Sequence, residues 1–331
     1  MLNVLRQYGI QPVAFLDKNA STGQTNNGVA VLAPDDKSLS RETRCDAFVF
    51  VSLILDKEPR LALYEQLKAL GYANLGYGFA WVRTQAPESD KQWKESVLKV
   101  FDMFEDIYSQ TVYSQNLSAV FSDNGNDGFV SPSKEIQYFD NTVPFRKNNM
   151  RFVDCGAFTG DTLESLCKTL GHIEAYAGFE PMPSNLTKFV GTAEKLRDEI
   201  GTGVIYPCAV GAKNEVLTFT DASTSSRVQA DMSAQGGGWS IPVTRLDDTL
   251  ALFRPTLIKM DIEGAETDAL EGAKKIIIQD KPDLAICVYH AIEHYWTIPL
   301  MLRSWVKEYK FYLRTYSFGG FETVLYAAGG R

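Results

Sequence analysis

The 331-residue sequence has few cysteines and no arrangement of them that would staple a fold. Cys45, Cys155, Cys167, Cys208 and Cys287 are odd in number, scattered, and form no C-x-x-C pair. That excludes a disulfide framework and fits reduced thiols buried as small apolar side chains in a cytosolic protein. Basic runs are missing as well. With 33 Lys and Arg against 41 Asp and Glu, the net charge is -8. A chain that grips nucleic acid through its phosphates wants a basic face, so no nucleic-acid partner is expected. Long apolar runs are also absent. The opening M-L-N-V-L-R-Q-Y-G has no signal-peptide core, and Ala47 to Leu55, free of charge, is strand length and too short to span a bilayer. A cytoplasmic location without a membrane span is expected, and nothing fixes the oligomeric state. The oxygen-rich D-N-G-N-D-G from Asp123 to Gly128 lacks the spacing and closing Glu of an EF-hand loop, which leaves a turn.

The dinucleotide fingerprint G-x-G-x-x-G is missing too, because Phe158 stands where its middle glycine would be. What stands there instead, R-F-V-D-C-G-A-F-T-G-D-T from Arg151 to Thr162, organises the chain. Phe152 and Val153 end an apolar strand. Asp154, Gly156, Ala157 and Gly160 make a turn, and Leu163, Leu166 and Leu170 recur at helical spacing. Gly156 permits a tight or left-handed turn and the approach of a ligand without a Cβ in the way. Asp161 with Glu164 reads as an N-cap pair, and the amides around Thr162 can hold an anionic ligand group. Asp154 at the strand end can accept from a ligand ammonium or hydroxyl. The next strand, Ala175 to Phe179, closes on Glu180, a carboxylate able to take both hydroxyls of a ribose, with Pro181 beside it. An acid at a strand end also serves as a turn residue or cap.

Four blocks, D-C-G-A-F-T-G-D-T, F-E-P-M-P-S-N, I-K-M-D-I-E-G-A-E-T-D-A-L-E-G-A and P-D-L-A-I-C-V-Y-H, together resemble the FkbM-type S-adenosylmethionine-dependent methyltransferases. They stand in that family's order, and the resemblance covers about residues 136–331. It implies a class I methyltransferase (Rossmann-like) α/β sheet, S-adenosylmethionine as cofactor and transfer to oxygen. By analogy with that fold, Val204 to Val210 is the third strand, with Cys208 and Ala209 near the adenine. The closing segments Phe311 to Ser317 and Glu322 to Ala327 form its C-terminal antiparallel hairpin.

Further along, Asp261, Glu263 and Glu266 follow the strand Thr256 to Ile262 as an acidic cluster. It could orient an acceptor or hold a cation, while Glu263 and Glu266 also suit the first turn of a helix from Gly264 to Ile278. His290 and His294 form H-x-x-x-H after the strand Leu284 to Tyr289. The spacing allows a metal pair, but no third ligand is nearby, and one working and one structural histidine is preferred, with no metal. His290 is the candidate base and Asp261 the second. Residues 221–240, rich in Ser, Ala and Gly, read as a lid or a surface loop.

Before this region lies smaller α/β material. Val13 to Leu16, Val29 to Leu32 and Ala47 to Leu55 read as strands and Pro59 to Leu70 as a helix. This looks like a partial Rossmann-like domain without a glycine-rich turn, suited to docking more than to nucleotides. Residues 86–120 read as helical, with an apolar stripe of Trp93, Val97, Val100, Phe101 and Phe104 between domains. The expected domains are 1–125 and 126–331. The expected acceptor is a saccharide or other small molecule, with Tyr289, Tyr295 and Trp296 available to stack on a ring, and Lys259 and Arg314 as local positive charge. An NAD-dependent oxidoreductase and a non-catalytic S-adenosylmethionine-binding domain are the alternatives.

Overall fold

The computed structural model describes residues 12–26, 28–51, 57–77, 91–121, 129–145, 148–219 and 239–329. The chain divides into two compact units: Met1–Ser89 with Ser114–Ser131 and Ser317–Gly320, and Asp90–Tyr113 with Pro132–Tyr316 and Phe321–Arg331. In the first, Ala14–Leu16 pairs parallel with Val29–Leu32, which pairs antiparallel with Thr25–Asn26. A separate parallel pair joins Phe48–Val51 to Asn74–Tyr77. Helix Arg41–Asp46 is capped by Ser40, whose hydroxyl accepts from the Thr43 amide at 3.0 Å. Helix Lys57–Ala69 supplies Leu67 to a small core with Val51 and Tyr72. Asp17 accepts from the Asn19 amide at 2.8 Å, which makes it a turn residue. The opening helix-like stretch and the Asp123 to Gly128 loop lie outside the described residues.

The second unit is built on strands β1 (Arg151–Cys155), β2 (Ile173–Phe179), β3 (Ile200–Tyr206), β4 (Leu257–Met260), β5 (Asp283–Cys287), β6 (Lys310–Thr315) and β7 (Thr323–Ala328). Its helices are α1 (Asp161–Leu170), α2 (Pro183–Lys195), α3 (Glu266–Gly272), α4 (Lys274–Asp280) and α5 (His294–Trp305). The strands order as β6-β7-β5-β4-β1-β2-β3 in one seven-stranded sheet. The pairs from β5 through β3 are parallel, and β7 runs antiparallel to both β5 and β6. Strands β4 and β5 are buried along their whole length, which is why L-I-K-M and D-L-A-I-C read as near-continuous apolar runs. Phe152, Leu163, Leu166, Ile173, Tyr176 and Phe189 form the core between β1, β2 and the helices that follow them.

Several local expectations are corrected. Strand β3 stops at Tyr206, and Ala209–Val210 pairs instead with Trp239–Thr244 in a small separate sheet with Glu215–Phe219. The helix expected from Gly264 to Ile278 is two, α3 and α4, interrupted at Ala273. The helical region before the sheet is also two helices, Lys91–Phe101 and Ile107–Phe121. Its stripe is core of the second unit itself: Val100 is fully buried, and the Trp93 ring lies 5.9 Å from Trp296 on α5. Of residues 221–240, read as a lid or a surface loop, 221–238 lie outside the described residues. Among the described residues no helix is long and apolar enough to cross a membrane.

Candidate functional site

Parallel strands deliver their carboxyl ends to one edge of the sheet, and the turn after β1 sits there. The amides of Gly156 and Ala157 both donate to the Phe179 carbonyl at 3.0 Å, which ties this turn to the end of β2. Gly156 has φ 80°, a region in which side chains other than glycine's are strained. A Cβ there would lie 2.0 Å from the Asp261 carbonyl oxygen. The glycine therefore admits the end of β4, a role the sequence reading did not give it. It is what lets the first turn and Asp261 share one small volume.

Helix α1 begins differently from the expected cap. Gly160, at φ 82°, is the N-cap, with no side-chain hydrogen bond to the first turn. Asp161 is the first helical residue and is exposed, while Glu164 pairs with Lys168 at 2.8 Å. A helix start without a side-chain cap leaves amides around Thr162 for an anionic group, such as the carboxylate of a methionine moiety.

Glu180 is buried at the end of β2 and already braces two turns. One oxygen accepts from the Phe158 amide at 2.9 Å, the other from the Met182 amide at 2.9 Å and from Asn185 at 3.3 Å. Burial raises its pKa, with these donors pulling against it. A carboxylate offers about four lone-pair sites, so capacity remains for a hydroxyl. Pro181 follows it, half-buried, and Ala209 is half-buried in register with Val243.

Asp154, expected at the cofactor, already has partners within the protein. It is fully buried, 3.1 Å from the Lys259 ammonium and 3.3 Å from the Tyr176 hydroxyl, which donates to it. Lys259 also donates to the Gly156 carbonyl at 2.7 Å. Burial alone would strip its proton, but Asp154 and then Asp261 outweigh burial and raise its pKa. Asp154 and Lys259 thus lock the turn from beneath, and Lys259 is not free charge for an acceptor. Arg314 is spent likewise, donating to Asp106 at 2.7 Å and to Ser109 at 2.8 Å.

Opposite the turn, the ends of β4 and β5 bring Asp261 and His290 together, with His290 Nε2 3.5 Å from Asp261 Oδ1. Glu263 comes to 3.8 Å of the same nitrogen, and Glu266 Oε1 lies 2.9 Å from His290 Nδ1. His294, expected to be structural, is buried with its Nδ1 3.4 Å from Glu266 Oε2. Asp261, Glu266 and His290 each place a possible ligand atom within 4.8 Å of the others. Two carboxylates and an imidazole suit a divalent cation as a donor set. The sequence reading found no third ligand near the two histidines, and the fold corrects this by bringing Asp261 and Glu266 to His290, though no metal is assigned.

Sequence reasoning missed three residues here. The Tyr138 hydroxyl donates to Asp261 at 2.9 Å. The Tyr289 hydroxyl lies 3.4 Å from Asp261 and 3.3 Å from Glu322, and Gln137 donates to Glu322 at 2.7 Å. Burial, then the charge of Asp261, raises the Glu322 pKa. Tyr138 and Gln137 carry no local signal and Glu322 looks like an ordinary turn residue. Tyr295 and Trp296, by contrast, are core and cannot stack on a ligand ring.

The model of the methyltransferase FkbM domain matches residues 154–313. The crystal structure of methyltransferase FkbM from Methylobacillus flagellatus KT superposes with TM-score 0.72 at 21% identity, covering 96% of this chain and 84% of that one. A methyltransferase from Geobacter sulfurreducens, with TM-score 0.34 and 11% identity, covers 84% of this chain and 98% of that one. Aeropyrum pernix fibrillarin, solved with natively bound S-adenosyl-L-methionine, has TM-score 0.31 and 9% identity over 54% of this chain and 66% of that one. No curated protein matches the chain. Residues 154–313, from β1 to β6 of this α/β sheet, match the methyltransferase FkbM domain, and S-adenosylmethionine is the cofactor.

Proposed function

We propose that the protein methylates a hydroxyl oxygen of a neutral or weakly charged saccharide or glycosylated metabolite. The observation that carries this is the polar cluster of Asp261, His290, Tyr289 and Glu322, held against the β1 turn by the Gly156–Asp261 contact. S-adenosylmethionine supplies a methyl group already activated on a sulfonium, so alignment and exclusion of water do most of the work. The residues that hold this cofactor are Gly156, Ala157, Gly160, Asp161 and Thr162 at the methionine end, Glu180 and Pro181 at the ribose, and Ala209 beside the adenine. Asp154 acts from beneath, through Lys259. His290 Nε2 takes the hydroxyl proton during attack, and Asp261 orients the acceptor. Carboxylates beside the donor also complement a cationic sulfonium better than a neutral thioether, which favours substrate over product. The first unit serves in docking. Neither the nicotinamide oxidoreductase reading nor the non-catalytic one is favoured by the family match.

Two tests follow. In Glu180→Ala, S-adenosylmethionine binding measured by calorimetry is expected to weaken by about 1.5–3 kcal/mol, the worth of hydrogen bonds to a charged group. Unchanged affinity would remove Glu180 from the cofactor site. For the acceptor, the enzyme is incubated with labelled S-adenosylmethionine and a panel of sugars, sugar nucleotides, phenols, amines and carboxylates. Label is expected on a sugar hydroxyl. Label confined to amine nitrogen or to catechols would sink the acceptor class and leave the methyltransferase standing.

A further inference from the structure

We propose that Glu266 is a positioning residue: it fixes the His290 tautomer so that the lone pair of Nε2 is offered to the acceptor. The inference rests on His290 being the base and deepens that reading. A neutral imidazole donates from one nitrogen and accepts at the other, and the bond made by one decides the role of the other. Glu266 Oε1, 2.9 Å from Nδ1, can only accept, so Nδ1 carries the proton and Nε2 is left with the lone pair. The two nitrogens also face different surroundings. Nδ1 points at a carboxylate whose side chain is 0% exposed, while Nε2 points towards Asp261 and Glu263, whose side chains are 23% and 50% exposed. The lone pair is therefore on the side of the more exposed carboxylates, although the His290 side chain itself is 7% exposed.

Glu266 is itself held in place. The same oxygen accepts from the Ile262 amide at 3.0 Å and from the Gly264 amide at 3.4 Å, which anchors the loop carrying Glu263. Its other oxygen lies 3.4 Å from His294 Nδ1, and among the described residues neither atom makes a hydrogen bond. Burial lowers the His294 pKa, with Glu266 pulling against it. When charged, His290 is the cation that balances Glu266, as an orienting carboxylate balances the imidazolium formed in general-base catalysis. The charged and titratable groups facing His290 are Glu266 on α3, Asp261 and Glu263 after β4, His294 on α5 and Glu322 beside β7. Tyr289, its neighbour, packs at 4.1 Å between ring centroids. Burial by itself would lower the His290 pKa, but the Glu266 hydrogen bond and charge, then Asp261 and Glu263, raise it.

The test needs no acceptor. The chain has only three histidines, His172, His290 and His294, so long-range proton–nitrogen correlation spectra of the full-length labelled protein resolve each ring. In the wild type, His290 is expected to titrate above the ordinary value of about 6.5 and, once neutral, to carry its proton on Nδ1. In Glu266→Gln the titration is expected to move down by about one pH unit or more, and the fixed tautomer to become a mixture. Glu266→Asp restores the upward displacement in part. A purely structural glutamate would lower thermal stability and leave the His290 titration and tautomer where they were, which would overturn the proposal. An Nε2-protonated ring in the wild type would overturn it too, and that arm holds even where Glu266→Gln does not fold. So would displacement of the His290 signals by added magnesium ion, since the cluster would then be a cation site. Failure of the base reading shows separately, as retained turnover in His290→Ala alongside the expected spectra.

Discussion

Replacing His290 by alanine is expected to lower turnover by about 10²–10⁴-fold, the range general-base catalysis contributes. Affinity for S-adenosylmethionine is expected to stay within about threefold, because the ion-pair partners of His290 among the described residues, Asp261, Glu263 and Glu266, follow β4 and do not belong to the β1 turn. The effect carries a pH signature. A raised His290 pKa means the ring is still protonated, and cannot accept a proton, at pH values where an ordinary histidine is free. Wild-type turnover should therefore fall as pH drops through a value above about 6.5. That limb should vanish from whatever residual rate the variant retains. The variant also leaves Glu266 buried without its balancing cation, so its folding is checked first by thermal melting. If turnover survives in His290→Ala but collapses in Asp261→Ala, the aspartate is the base.

Gly156→Ala is expected to be nearly as damaging, for a steric reason. Its Cβ would overlap the Asp261 carbonyl, which is backbone and cannot swing aside, and the residue would have to keep φ 80°. Left-handed backbone costs a non-glycine residue roughly 1–2 kcal/mol by itself. Relief of the overlap must also part the β1 turn from the end of β4. A misplacement of about 1 Å between aligned groups can cost around a hundredfold in rate. The variant should therefore bind S-adenosylmethionine more weakly, melt lower and turn over about 10²-fold more slowly or worse, read by calorimetry, thermal melting and a labelled-methyl assay. Wild-type behaviour in all three would mean that the two strand ends do not need their close contact. Gly160→Ala makes a useful comparison, because it keeps a similar left-handed backbone at φ 82° while the added carbon would meet side chains, Phe189 and Thr192, and not backbone.

How far the sequence reaches is clearest at these same residues. The strand, turn and helix from Arg151 to Leu170 were legible because apolar run, glycine and helical periodicity lie side by side. Glu180, Asp261 and His290 were legible as chemistry-bearing side chains at strand ends. Their surroundings were not. Glu266 read as an acid in a first helical turn, since its burial depends on His290, 24 residues on, and on His294 beyond it. Tyr138 reaches Asp261 across 123 residues, and no local pattern marks that contact. Gly156 could be read as a special turn, but what fills the space beside it is a carbonyl from another strand. Asp154 was assigned to a ligand because it stands at a strand end, whereas strand alternation turns it inward, onto Lys259. Tyr295 and Trp296 looked like a platform for a ring because aromatics close to a catalytic histidine in sequence need not point towards it. Periodicity, glycines and strand ends thus expose the scaffold, while contacts between distant segments decide which charges face the cleft.

The account stands or falls on where the cofactor lies relative to the polar cluster. A crystal structure with S-adenosylhomocysteine tests this most directly. The predicted result has the ribose hydroxyls on Glu180, the amino-acid end against the turn from Gly156 to Thr162, and the thioether sulfur facing Asp261 and His290. A nucleoside bound elsewhere, or a sulfur turned away from Asp261 and His290, would contradict it.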